Sequence, residues 1–270
     1  MAITASLVKE LREKTGVGMM DCKKVLEETN GNIEEAIKSL REKGLSKAAK
    51  KSDRSTKEGR IITVVNNQKA VILELNCETD FVASNENFIA LGKLISQAIL
   101  SNDLSTVEEA LAINVEGSKV NELISDAILQ LGENIVIGKF NTFTTDGSFS
   151  SYEHTNGKIG VIVEFTSSID AETGRDIAMQ VAAMNPLYVS SDQVPTADLD
   201  NESDILRKQA LSEGKPEQVV DKIIQGRLTK FYKENCLIEQ TFVKDPDKTI
   251  KDLLPAESTI KSMNRFSLVG

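Results

Sequence analysis

One pattern occurs twice in this chain, and the repetition constrains the architecture more than any single motif does. Gly59-Arg60-Ile61-Ile62-Thr63-Val64-Val65 turns through Asn66-Asn67-Gln68-Lys69 into Ala70-Val71-Ile72-Leu73-Glu74-Leu75, and a helical pattern follows over residues 87–100. Later, Gly147-Ser148-Phe149-Ser150-Ser151-Tyr152 turns through Thr155-Asn156-Gly157 into Gly160-Val161-Ile162-Val163-Glu164-Phe165, and a helical pattern follows over residues 171–184. The second strands match almost position for position. The Asn66-Asn67 and Asn156-Gly157 turns supply residue types that tolerate the left-handed backbone of tight hairpins. A hairpin followed by a covering helix, given twice, predicts an α+β protein with two related subdomains, each a small antiparallel sheet covered by helices.

The remaining segments fit around that pair. Ahead of it, Leu7, Val8 and Leu11 form an apolar stripe ending at Gly16. Val25 and Leu26 belong to a second helix that stops near Asn30-Gly31, and Asn32 caps a third that carries Ile33, Ala36, Ile37 and Leu40 to Gly44. The predicted organisation is a three-helix, ubiquitin-associated-like bundle over residues 1–45, a basic linker over 46–58, a first core subdomain over 59–145 and a second over 146–270. The first subdomain adds helices over 105–111 and 117–131 and a strand from Ile135 through Phe143. The second is interrupted over about 201–235 by two helices joined through Gly214-Lys215-Pro216, an inserted antiparallel helical hairpin. A final strand is expected over residues 262–269.

The candidate functional feature is the corner after the strand that ends at Leu75. Cys77-Glu78-Thr79-Asp80-Phe81-Val82 joins that strand to a helix capped by Ser84-Asn85-Glu86-Asn87, and such corners hold side chains firmly while pointing them away from the core. Phe81 there is either a plug in its own core or a wedge for a partner. In the first segment, the adjacent Met19 and Met20 cannot both face one small core, so at least one faces out, where a soft side chain suits a protein surface; the other reading is a pair that partly caps the core. Asp21 reads as a helix cap and Glu78 as a solvated strand end.

Inventory argues against an enzyme. There is no glycine-rich phosphate loop, the single histidine, His154, has no evident Ser or Cys partner, and no carboxylates fall at metal-ligand spacing. No cofactor or metal is expected. With 40% apolar residues, 27% charged residues and a net charge of −9, the composition is that of a soluble domain, and it disfavours wholesale nucleic-acid binding. Cys22, Cys77 and Cys236 are odd in number and far apart, which suits a reducing compartment. The first residues lack a signal-peptide pattern and no apolar run is long enough for a bilayer, so a cytoplasmic location and no membrane partner are expected.

Several motifs in order carry a resemblance: Gly16-Val17-Gly18-Met19-Met20-Asp21-Cys22-Lys23-Lys24 within the segment from Ala2 to Gly31, then Cys77 through Val82, Leu131-Gly132-Glu133-Asn134, Met184-Asn185-Pro186 and Gly226-Arg227-Leu228. Together they resemble the bacterial elongation factor Ts family, the guanine nucleotide exchange factors of elongation factor Tu, over nearly the whole chain. The resemblance implies a chain that binds Tu·GDP, promotes GDP release and is displaced by GTP, without binding nucleotide itself. It implies that Thr79, Asp80, Phe81 and Val82 disturb the Mg²⁺ and phosphate sites of Tu. Met19, Met20, Leu131 and Gly132 would touch its nucleotide-binding domain, and His154, Arg265 and Phe266 its third domain. Several relatives continue past the last strand into a C-terminal helical module, and contacts made by that module are not carried over to this chain. Two other readings stay open: a protein-binding module without exchange activity, and a translation-associated factor that contacts RNA through Lys47 to Arg60.

Overall fold

The computed structural model describes residues 3–66 and 68–268. Three helices come first: α1 (Ala5–Thr15), α2 (Met19–Glu28) and α3 (Ile33–Lys51). The Asn32 side chain caps α3, accepting from the amides of Glu34 and Glu35 at 3.1 and 3.2 Å, and the three helices close on Val8, Leu11, Cys22, Val25, Leu26, Ala36 and Leu40. Helix α3 does not stop at Gly44. A Cβ there would lie 3.3 Å from the carbonyl oxygen of Ser125, so the glycine marks a close helix crossing, and the helix runs on to Lys51.

The chain continues through β1 (Glu58–Asn66), β2 (Lys69–Cys77), the one-turn α4 (Asp80–Ala83), α5 (Glu86–Asn102), α6 (Val107–Ala112), the two-residue strands β3 (Asn114–Val115) and β4 (Ser118–Lys119), α7 (Val120–Leu131) and β5 (Val136–Thr144). Next come β6 (Ser148–Glu153), β7 (Ile159–Phe165), α8 (Ala171–Met184), α9 (Thr196–Ser212), α10 (Glu217–Asn235), β8 (Thr241–Phe242), β9 (Asp245–Thr249), α11 (Ile250–Leu253) and β10 (Ile260–Ser267). This is a mixed α+β fold with small antiparallel sheets behind a helical N-terminal region.

The two larger sheets share one topology. In the orders β1-β2-β5 and β10-β7-β6, the second strand of the hairpin is central and a strand from beyond the covering helices pairs on its far side. The period-two alternation of β2 and β7 assigns their faces. Val71, Leu73, Leu75 and Cys77 pack under α5 and α7, while Val161, Val163 and Phe165 pack against α8. Ile61, Ala70, Ile72, Phe149, Ile162 and Phe266 fill the layer where the sheets meet. The sheets approach closely at Gly160, where a Cβ would sit 2.4 Å from Ile61 Cγ2. The result is a helix–sheet–sheet–helix stack.

The turns differ from expectation. Asn66 lies within β1, paired with Lys69, and Asn67 falls outside the described residues. In the other hairpin only Gly157 is left-handed, at φ 70°, while the Asn156 side chain accepts from the Lys158 amide at 2.9 Å.

The basic segment is held at several points while Lys50 and residues 52–55 stay exposed: Lys47 pairs with Asp21 at 3.0 Å, Ala48 packs on the core of the first sheet, and Lys51 donates to the Gly132 carbonyl. Helices α9 and α10 make a separate antiparallel pair around Leu206, Ala210, Val220 and Ile224, with α9 starting at Thr196, earlier than expected. Among the described residues, no helix is long and apolar enough to cross a membrane.

Candidate functional site

The corner after β2 presents its aromatic outward. Thr79 caps α4, its hydroxyl accepting from the Val82 amide at 3.4 Å, and Val82 and Ala83 turn into the core beneath α5. That leaves Phe81 84% exposed. The plug reading of Phe81 is therefore excluded, because its two successors occupy the interior. Asp80 is exposed beside it.

A knot of carboxylates fixes the corner from behind. Past the end of α7, where Gly132 caps the helix at φ 82°, Glu133 reaches back across the sheet. One of its oxygens accepts from the amides of Glu78 and Thr79 at 3.1 and 2.9 Å; the other accepts from the Thr79 hydroxyl at 2.6 Å. Glu78 answers by accepting from the Asn134 amide at 2.7 Å and pairing with Arg54 at 3.3 Å. The Asn134 amide bond, and next to it the Arg54 guanidinium, hold the Glu78 carboxyl below its usual range. Glu78 is thus a bonded residue, not a solvated strand end. Asn134, 3% exposed, completes the knot by donating to the Ser52 and Arg54 carbonyls at 3.4 and 3.2 Å.

The same stretch holds the methionine loop. Gln130 Nε2 donates to the Thr15 carbonyl at 2.6 Å, at the end of α1, and Val17 is buried in the bundle, while Met19 and Met20 at the start of α2 are 50% and 76% exposed. Gln130 and Glu133 are separated by at most about 11 Å of chain, so the methionine loop and the Phe81 corner hang from neighbouring points. Leu131 is half-buried against the core and Gly132 is exposed between them. Asp21 is not the cap of α2; that position is Gly18, and Asp21 sits in the first turn facing Lys47.

The β6–β7 hairpin lies on the other side of the corner. Its tip covers the free edge of β1: the Gly157 carbonyl accepts from the Ile61 amide at 2.8 Å, and Glu153 Oε1 accepts from the Thr63 amide at 2.7 Å and the Thr63 hydroxyl at 3.1 Å. Lys158 pairs with Glu58 at 2.8 Å, and that pair, with a smaller contribution from Asp80, raises the Lys158 pKa. His154 is exposed at this tip, its Nδ1 3.2 Å from the Tyr152 hydroxyl.

Of the two candidates on the last strand, only Arg265 keeps some exposure. Arg265 is half-buried along α8, its Nε donating to the Ala182 carbonyl at 3.4 Å. Phe266 is 7% exposed in the layer between the sheets, with the Lys139 ammonium 4.6 Å from its ring centre. The alternation of β10 turns position 266 inward, so Phe266 is an internal packing residue and leaves the contact set.

Sequence reasoning missed Glu133 and Asn134 as working residues. Nothing near them in the chain announces bonds to residues more than fifty positions away.

The thiols are buried, and burial pushes Cys77 up to about 12 and Cys236 up to about 11, far from reactive thiolates. Among the described residues, no group of three or more His, Cys, Asp or Glu side chains could hold a metal ion. What the arrangement offers is a rigidly mounted aromatic with two exposed methionines and a histidine-tipped hairpin nearby, a surface suited to gripping another protein. The fold is an α+β body with two sheets of one topology, and this surface lies on it. A family model described as Elongation factor TS matches residues 78–269, and the chain belongs to that family. Its role is accordingly that of a translation elongation factor.

Proposed function

We propose that this chain is a guanine nucleotide exchange factor that binds elongation factor Tu carrying GDP, weakens the hold on the nucleotide, and is displaced when GTP binds. The observation that carries the reading is Phe81, an aromatic left in water on a corner held by the hydrogen bonds of Glu78, Glu133 and Thr79. Exchange requires no bond making. It requires a complex in which nucleotide and factor weaken each other, and that coupling is reciprocal.

Tight guanine nucleotide binding relies on Mg²⁺ bridging the phosphates, so a wedge that shifts the elements around the Mg²⁺ site loosens the nucleotide. Burying one Phe contributes about 1.5–3 kcal/mol, which corresponds to about ten- to a hundredfold in affinity. Asp80 and Phe81 form the wedge in this reading; Val82, 8% exposed in the core, leaves the contact set, and Thr79 holds the turn from behind as its cap. Met19 and Met20, with Leu131 and Gly132, add contact to the same domain of Tu, and His154 and Arg265 serve a second grip on its third domain. A cytoplasmic location follows from this partner.

The RNA-contacting alternative is disfavoured because Lys47, Lys51 and Arg54 are bonded to groups of this chain. The test is release of labelled GDP from purified Tu. Substoichiometric amounts of this protein should accelerate it many-fold, and a release rate equal to that of Tu alone would leave the chain a binding module without exchange activity.

A further inference from the structure

We propose that Glu133 is the positioning residue for Phe81, and that it acts through the hydroxyl of Thr79. The inference rests on the exchange reading given above. Helix α4 has only four residues, Asp80–Ala83. A single turn is below the length at which a helix sustains itself, because nucleation fixes several dihedrals for one hydrogen bond. The orientation of Phe81 must therefore be imposed from outside the turn.

The Thr79 hydroxyl is the device that does so. A hydroxyl has one proton and two lone pairs. Glu133 Oε1, 2.6 Å away, accepts the hydrogen bond from this hydroxyl, which leaves a lone pair for the Val82 amide at 3.4 Å and so makes Thr79 an acceptor in its capping role. The second carboxylate oxygen meanwhile fixes the Glu78 and Thr79 amides. One side chain from beyond α7 thereby sets the donor direction of the cap and the path of the two residues leading into it. Because Glu133 is half-buried behind the corner while Phe81 faces solvent, its effect on a partner would be transmitted through the backbone of residues 78–82. Contact with that partner is not required of it.

The experiment is a double-mutant cycle on GDP release from Tu, using Glu133→Ala, Phe81→Ala and the pair, with amide hydrogen exchange on the free proteins as a second readout. Glu133→Ala should slow catalysed release by about tenfold, the effect of losing a cap, and should speed exchange at the Glu78, Thr79 and Val82 amides while leaving the β2 interior protected. In the Phe81→Ala background the same substitution should change the rate less than twofold, since a positioning residue has nothing left to position. Thr79→Val should reproduce the loss and Thr79→Ser should restore activity; the first of these also carries the cycle if Glu133→Ala does not fold. Independent, multiplying effects of Glu133→Ala and Phe81→Ala would overturn the inference even if the amides loosen, and so would full activity in Thr79→Val. If the wild-type protein fails to accelerate release, the exchange reading itself falls and takes this inference with it, an outcome distinct from multiplying effects.

Discussion

A phenylalanine left 84% exposed adds almost nothing to the stability of its own chain, because the 1.5–3 kcal/mol (about) of a buried ring is gained only when water is removed from it. Phe81→Ala should therefore shift the melting temperature of the free protein by less than about 2 °C while slowing catalysed GDP release at least about tenfold. A large drop in melting temperature would show the ring packed in solution and remove it as a wedge. Glu78 behaves in the opposite way, contributing to the fold through its bonds to Asn134 and Arg54. Its carboxyl is held below the usual range, so the folded state binds that proton less readily than the unfolded chain does. The resulting stability is fully present above the unfolded pKa of about 4.3 and is lost as pH falls through the lower folded value. Glu78→Gln should cost about 1–2 kcal/mol at pH 7, and the gap to wild type in urea unfolding should shrink towards zero as the pH falls below 4.3. A gap that stays constant with pH would assign the loss to packing instead of charge.

Among the elements, the start of α2 is where a surface can be altered without touching a core. Met19 and Met20 are exposed, whereas the bundle closes on Val8, Leu11, Val25 and Leu26. Replacing both methionines by Ser should leave the helical melt unchanged and weaken binding to nucleotide-free Tu by about tenfold or more, measured by calorimetry; unchanged affinity would return the pair to a surface without a partner. The elements themselves were legible to different depths. Helix α8 falls on the residues its pattern predicts, Ala171–Met184, and both hairpins follow their alternation, because periodicity and capping are local signals. Helix α3 runs past Gly44, which by itself looks like a stop, because the role of that glycine depends on Ser125, which is distant in sequence. The burial of Phe266 is not legible because polar and apolar residues alternate weakly along Ser262-Met263-Asn264-Arg265, leaving the inward face of β10 undetermined until Ile162 and Phe149 are brought against it. The corner at Phe81 was legible as a corner, but its exposure was not, since that depends on Val82 and Ala83 taking the interior places. Glu133 was invisible because its bonds all cross between segments.

At the scale of the whole molecule, the question is which parts must stay together for the corner to work. The first sheet, the bundle and the β6–β7 hairpin are joined around it by Gln130, Glu133, Asn134 and the β1 edge bonds. The α9–α10 hairpin shares none of these links. Its buried residues, Leu206, Ala210, Val220 and Ile224, form a cluster of their own, and its ion pairs, Arg207 with Asp221 and Arg227 with Glu213, are internal. Its base is different: the Asn235 carbonyl accepts from the amides of Leu187 and Tyr188, and the Tyr188 hydroxyl donates to Asp198. A deletion must spare those residues, so the cut belongs at 203–230, where two packed helices stand about 8–10 Å apart and a short Gly/Ser linker spans the gap. The shortened protein should keep the circular dichroism of its sheets, lose helical signal in proportion to the residues removed, and release GDP from Tu within a few-fold of the full chain. If it is folded and yet releases GDP no faster than Tu does alone, the hairpin is part of the exchange surface, and the function cannot be placed at the Phe81 corner and its immediate supports.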